Sequence, residues 1–108
     1  MIEAEYSRKW NRVTVKGHAH AGEPGKDLIC AGATTLVYTL EASLEGLYKA
    51  EALIQPPKCD LQSGNAVISW VPSSRMRRSV ELCVNTVMGG FAVLGEHFPD
   101  FVKVSMPG

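Results

Sequence analysis

The chain has 108 residues, and its eleven Lys and Arg residues balance eleven Asp and Glu residues, so its formal net charge is zero. This length predicts one domain over residues 1–108, too short to carry a separate cofactor domain. The balanced charge argues against a broad preference for nucleic acid or anionic membrane. The sequence has no stretch typical of a signal peptide, and no apolar run approaches the roughly 18 residues that span a membrane. We therefore expect a cytoplasmic protein without a membrane partner.

Two strands and a loop precede the first predicted helix. Ile2, Ala4 and Tyr6 alternate with polar residues, and alternation resumes over residues 12–16 after a polar turn, which is typical of a hairpin. From Asp27, a natural N-cap, apolar residues then recur every three or four positions. This spacing predicts a long helix that ends before residues 56–57, with a stripe of Leu28, Gly32, Leu36, Leu40, Leu44 and Leu47.

The second half of the chain has the same predicted order of two strands followed by a helix. Strands are predicted over residues 59–61 and 66–71, joined by a turn at 62–65, and a last strand over 101–106. Between them, Ser73 and Ser74 are predicted to cap a helix whose apolar stripe is Val80, Val84, Val87, Phe91 and Leu94. The order β-β-α-β-β-α-β predicts an α+β two-layer sandwich, with two helices on one face of a mostly antiparallel sheet.

The loop before the first helix separates a histidine from a cysteine. With Asp27 as N-cap, Cys30 lies in the first helical turn, where unpaired N–H groups favour a thiolate. His18 ends the second strand, so a Cys/His pair forms if the loop folds back, and the N–H groups of residues 28–31 are predicted oxyanion donors. The alternative is that Cys30 is a small packing residue.

The residues on both sides of this loop resemble a known signature. Gly17-His18-Ala19, eleven residues between His18 and Cys30, and the run Asp27-Leu28-Ile29-Cys30-Ala31-Gly32-Ala33 together look like the Prp family of ribosomal-processing cysteine proteases. The resemblance implies a cysteine endopeptidase with Cys30 as nucleophile and His18 as general base. Asp27 matches the family's acidic position, and either orients His18 or only caps the helix.

The same resemblance implies the biological setting. Prp proteins are dimeric bacterial enzymes that remove an N-terminal extension from large ribosomal subunit protein 27, cutting after paired phenylalanines. The expected partners are therefore that N-terminal peptide and a second copy of the chain. The predicted substrate-binding residues are Gly17, Gly22, Gly25 and Thr34, of which Thr34 stands where the family usually has serine.

Other polar residues support alternative interpretations. His20 is a second candidate base, and the cysteine and histidine spacings indicate no metal and no cofactor. Arg75, Arg77 and Arg78 indicate a contact with ribosomal RNA, a salt-bridged dimer edge or a solvated helix end. Trp10 and Trp70 are both predicted to pack over their own sheet.

Two other functions are consistent with the residues alone. One is a non-catalytic ribosome-associated module that binds RNA or protein through the arginines, with Cys30 as a packing residue. The other is a thiol-transfer protein in which Cys59 or Cys83 resolves an oxidised Cys30, although no C-x-x-C motif is present. The odd number of three cysteines is typical of reduced thiols rather than of a disulfide framework.

Overall fold

Five strands and two helices make up the part of the chain that the computed structural model describes, residues 1–19 and 27–106. The order β-β-α-β-β-α-β and the α+β class are confirmed. The elements are β1 (Ile2–Ser7), β2 (Arg12–Lys16), α1 (Leu28–Lys49), β3 (Lys58–Gln62), β4 (Asn65–Ser69), α2 (Arg77–His97) and β5 (Val102–Ser105).

The strands form one sheet in the order β3-β4-β2-β1-β5. Neighbouring strands are antiparallel except for β5, which runs parallel to β1. These pairings make β3 parallel in direction to β2, and β5 parallel in direction to β4. Each helix is therefore the crossover of a β-α-β unit, the usual connection between strands of equal direction. The sheet is mostly antiparallel, as predicted, with one parallel pair at its edge.

One face of the sheet is buried under both helices. In β1, Ile2, Ala4 and Tyr6 are buried while Glu3 and Glu5 are exposed. The register places Val13 and Val15 of β2 beside Tyr6 and Ala4, so the buried side chains share one face. The helices contribute to the same core Ile29, Ala33, Val37, Leu40 and Leu44 from α1 and Val80, Val84, Val87, Met88 and Phe91 from α2.

The predicted apolar stripe of α1 needs correction at its beginning. Leu28 is 84 % exposed, and the buried stripe starts with Ile29 instead. The helix also ends at Lys49, well before residues 56–57. Glu51 adopts a left-handed conformation with φ 64°, and Ala52 N donates to Leu47 O at 2.8 Å. This Schellman arrangement ends the helix without the glycine that usually marks it in a sequence.

The predicted serine cap of α2 is wrong. The helix begins at Arg77 after Met76, and no side chain caps it. Ser73 lies one turn earlier, where its hydroxyl accepts a weak hydrogen bond of 3.3 Å from Met76 N. Ser73 thus holds the turn that leads into α2, and the first N–H groups of the helix have no side-chain acceptor from the cap residue.

The two tryptophans have opposite environments. Trp70 is buried, with its ring centroid 6.0 Å from that of Tyr6, as predicted. Trp10 is 63 % exposed on the turn between β1 and β2, so its predicted packing over the sheet is wrong. Within the described residues, neither helix is long and apolar enough to cross a membrane.

Candidate active site

A cavity of about 350 Å³ opens where the end of β2, the start of α1 and the β3–β4 turn meet. Four predicted site residues line it: Gly17, His18, Cys30 and Thr34. The remaining wall is mostly apolar and includes Ile2, Val15, Ala33, Val37, Tyr38 and Leu61. The fold therefore places a half-buried thiol and an exposed imidazole at one opening that has room for a side chain.

The thiol of Cys30 contacts the backbone that follows the histidine. Cys30 lies in the first turn of α1, and its Sγ accepts a hydrogen bond from Ala19 N at 3.3 Å. Ala19 itself is buried. The end of the second strand and the start of the first helix thus converge around the sulfur atom, the arrangement that the sequence predicts for a Cys/His pair.

Asp27 caps α1, as predicted. Its Oδ1 accepts hydrogen bonds from Ile29 N at 3.0 Å and from Cys30 N at 3.1 Å. Ala31 N donates to the backbone oxygen of Asp27 at 3.0 Å. Three of the four N–H groups predicted as oxyanion donors are therefore already bonded, and that prediction is wrong for residues 29–31. The backbone donor at the sulfur atom is Ala19 N instead.

His18 is held by contacts that the sequence did not indicate. Its backbone oxygen accepts a hydrogen bond from the amino group of Met1 at 2.7 Å. Its ring lies against Gly64 in the β3–β4 turn, where an added Cβ would come within 2.5 Å of Nε2. Gly17 N donates to Gly64 O at 2.9 Å, which fixes the turn to the end of β2. Gly64 was predicted only as part of a hairpin turn.

Some predicted site residues lie outside the described residues. His20, Gly22 and Gly25 belong to residues 20–26, so the second candidate base and the loop's role in substrate binding stay predictions. Within residues 1–19 and 27–106, no three His, Cys, Asp or Glu side chains are grouped closely enough to hold a metal ion.

Cys59 lies on β3 beside the middle of α1, two residues from Leu61 of the cavity wall. The Glu41 carboxylate lies near its thiol. Between Cys30 and Glu41 the helix rises about 16 Å, which exceeds the span that a disulfide can bridge. All three cysteines are free. Cys59 is therefore poorly placed to resolve an oxidised Cys30, which weakens the thiol-transfer hypothesis.

The environment of Cys59 makes it a weak nucleophile with a measurable signature. Burial, followed by the negative charges of Glu41 and Glu45, raises its pKa from 9.0 to about 11. In a Cys30→Ser/Cys83→Ser variant, we expect the alkylation rate of Cys59 by iodoacetamide to rise with pH toward a midpoint near pH 11, because only the thiolate reacts.

The Glu41→Gln variant on the same background is the matched control for that experiment. It removes one negative charge near the thiol but leaves the burial unchanged, so the midpoint is expected to move down from pH 11 without reaching pH 9. Because the neutral thiol is the favoured folded form, any stability that it contributes is present below pH 9 and lost toward pH 11. A midpoint near pH 9 without the Glu41 substitution contradicts this assignment.

Comparisons with known proteins identify the family and the fold. The sequence model of the family "Cysteine protease Prp" matches residues 1–103. A search of curated proteins finds no match. Among solved structures, the ribosomal processing protease Prp from S. aureus, with a covalently linked product peptide, has a TM-score of 0.75 at 19 % identity, over 98 % of this chain and 97 % of that one.

Two further crystal structures share the fold. SMU.848 from Streptococcus mutans has a TM-score of 0.70 at 28 % identity, over 98 % of this chain and 93 % of its own. The S. aureus protease with a substrate peptide has a TM-score of 0.68 at 17 % identity, over 98 % and 97 % of the two chains. Because the family match covers nearly the whole sequence, this chain belongs to the Prp family of cysteine proteases.

Proposed function

We propose that this protease removes the N-terminal extension of large ribosomal subunit protein 27 during ribosome assembly, with Cys30 as nucleophile and His18 as general base. The observation that carries the proposal is the hydrogen bond from Ala19 N to Cys30 Sγ, which joins the sulfur to the residue after His18. The similar S. aureus protein is a ribosomal processing protease and was crystallised with a covalently linked product peptide.

The proposed reaction has two halves. His18 takes the proton of Cys30 as Sγ attacks the scissile carbonyl carbon, and the imidazolium then protonates the leaving amine as the C–N bond breaks. This leaves a thioester on Cys30. In the second half His18 takes a proton from water as the water oxygen attacks the thioester carbon, the C–S bond breaks, and the imidazolium returns its proton to Sγ, which restores the thiol and the neutral imidazole.

The backbone N–H of Ala19 is proposed to donate a hydrogen bond to the sulfur in the free enzyme and to the substrate oxygen during the reaction. In the free enzyme it donates to Sγ at 3.3 Å. A carbonyl carbon bonded to Sγ places its oxygen within reach of the same donor, which is what an oxyanion hole requires. The helix-start N–H groups of residues 29–31 are occupied by Asp27, so they supply no competing donor.

The apolar wall of the cavity favours an aromatic substrate residue beside the cleaved bond. Leu61, Val37 and Ile2 offer apolar surface, and about 350 Å³ accommodates a phenylalanine side chain. Thr34 and Gly17 line the same cavity and are proposed to contact the peptide. Gly22 and Gly25 are proposed to contact it from the loop.

A second copy of the chain and ribosomal RNA are further proposed partners. We propose a homodimer through the C-terminal half of α2, where Val93 is 53 % exposed. Sedimentation equilibrium at micromolar concentration measures this directly. Because the proposed substrate is a ribosomal protein, we propose that the enzyme acts in the cytoplasm of a bacterium.

The proposed contact with ribosomal RNA is made by Arg75, Arg77 and Arg78.

The test is cleavage of a peptide containing Asn-Leu-Gln-Phe-Phe-Ala-Ser, with products identified by mass. We expect one cut after the second phenylalanine by the reduced protein, none by Cys30→Ala, and full cleavage by the matched control Cys83→Ala. A peptide with both phenylalanines replaced by aspartate should remain intact. If folded, reduced wild type leaves the first peptide intact, this substrate is wrong and the binding-module alternative gains support.

Two substitutions distinguish a role of Asp27 as helix cap from a role in orienting His18. Asp27→Ala removes the cap and is expected to cost about 1 kcal/mol of unfolding free energy. Asp27→Ser keeps a capping oxygen but no carboxylate, so we expect wild-type stability and cleavage within about threefold of wild type, because serine caps as well as aspartate. Thermal unfolding and kcat/KM measure both. A stable Asp27→Ser protein with little activity indicates that the carboxylate orients His18.

A further inference from the structure

A second concave surface lies at the opposite end of the sheet from the candidate active site. Arg8, Arg75, Arg77 and Arg78 line it, together with Glu81 and with Ser74, Leu82 and Asn85. Arg8 follows β1, whereas Ile2 at the other end of β1 lines the catalytic cavity. Six residues of extended chain, about 20 Å, separate these two ends. The arginine surface is therefore distinct from the site of proteolysis.

The arginines are not explained by the stability of α2. Arg77 and Arg78 are the first two residues of the helix, whose first turn contains no acidic residue. Positive charges at this position oppose the helix dipole and disfavour the folded state. Glu81 is the acidic residue in the cavity wall, so the described wall carries a net positive charge. A bound anion would compensate this charge, and guanidinium groups match phosphate in geometry.

An exposed aromatic ring lies two residues along the chain from Arg8, which lines this surface. Trp10 is in the turn that begins with Arg8, and Lys9 Nζ lies 5.3 Å from the centre of its ring. Trp70 N donates to Asn11 O at 3.1 Å, so this turn is fixed beside the segment that leads to Arg75. A 63 % exposed indole beside a positive charge, on a turn whose backbone is hydrogen-bonded to the neighbouring segment, can stack on an unpaired base while nearby cations bind its phosphates.

We propose that Lys9, Trp10, Arg75, Arg77 and Arg78 form a binding surface for single-stranded nucleic acid, with the four cations on phosphates and Trp10 stacked on a base. The inference does not depend on the identity of the peptide substrate. It adds to the proposed arginine contact a base-stacking residue and a preference for unpaired strands. RNA and DNA share this chemistry, and the experiment distinguishes them.

The experiment is fluorescence anisotropy with labelled 12-nucleotide oligo-U RNA, oligo-dT DNA and an RNA duplex of the same length. We expect saturable binding of a single strand at 100 mM salt, with RNA tighter if the 2′-hydroxyl contributes. Four phosphate contacts predict a slope of about −3 for log K against log salt. Arg77→Gln/Arg78→Gln should reduce that slope to about −1.4, and Trp10→Ala should weaken binding roughly 5- to 100-fold, with Trp10→Phe restoring much of it.

The control is Lys16→Gln/Lys103→Gln, which removes the same charge from exposed positions outside the arginine surface. It should bind like wild type, and all variants should unfold at similar temperatures. The proposal is overturned if single strands do not bind, if the lysine control loses as much affinity as the arginine variant, or if Trp10→Ala binds like wild type. Tighter binding to the duplex, or to anionic vesicles, also overturns it. Peptide cleavage by the arginine variant should be unchanged, so failure here leaves the protease assignment standing.

Discussion

Replacing His18 by alanine is expected to lower kcat/KM for peptide cleavage by about 10²- to 10⁴-fold, the usual contribution of a general base. His18 is exposed at the cavity that also contains Cys30, so its removal should change the unfolding free energy by less than about 1 kcal/mol. The measurements are steady-state kinetics of peptide cleavage and thermal unfolding of the same preparation.

The matched control for this substitution is His97→Ala. His97 is the last residue of α2 and is also exposed, so its replacement tests whether the loss of any exposed histidine lowers cleavage. We expect wild-type cleavage from His97→Ala. Cleavage by His18→Ala within threefold of wild type, with the protein folded, would assign the base to another residue, and His20 is then the next candidate.

The second large effect is expected at a residue with no reactive group. Gly64→Ala places a Cβ only 2.5 Å from His18 Nε2, so the imidazole has to move. A displacement of about 1 Å at a catalytic group can cost about 100-fold in rate, and we expect a loss of that size in kcat with a smaller change in KM. Stability should fall by about 1–2 kcal/mol, because alanine is strained at φ 74°.

Two comparisons separate displacement of the imidazole from simple strain. In a His18→Ala background, Gly64→Ala should cause no further loss of the residual activity, since the group that it displaces is gone. Gly46→Ala provides the control for glycine replacement, because nothing lies within 4 Å of a Cβ added in that helix position. If Gly64→Ala reduces activity equally in both backgrounds, Gly64 acts through the turn and not through His18.

The order of elements was predictable because local patterns in this chain agree with its tertiary structure. The alternation at Ile2, Ala4 and Tyr6 is the buried face of β1. The end of α1 was not predictable, because it depends on Glu51 in a left-handed conformation that glycine usually adopts. The exposure of Leu28 was equally hidden, since spacing alone does not fix which of two adjacent stripes faces the sheet.

Some features of the candidate active site were likewise predictable from the sequence, and others were not. His18 and Cys30 lie on either side of one loop, and this spacing predicted that the end of β2 and the start of α1 come together, as they do at the cavity. The support from Gly64 comes through the pairing of β2 with β4, which brings Asn65 opposite Lys16. No local pattern carries that information. The donors for the oxyanion were mispredicted because one carboxylate, Asp27, satisfies the helix-start N–H groups that an empty helix end would offer.

The parallel pairing of β1 with β5 has a consequence for the newborn protein. Ile2, in the wall of the candidate active site, pairs with Val102, and its N–H donates to Phe101 O at 2.8 Å. During translation, β1 keeps an unpaired edge until the residues of β5 have left the ribosome. β1, which carries the cavity residue Ile2, is thus paired on both sides only once β5 has been synthesised. A nascent chain arrested before Phe101 should therefore leave β1 more accessible to proteolysis than the full chain does, which limited digestion of the two would measure.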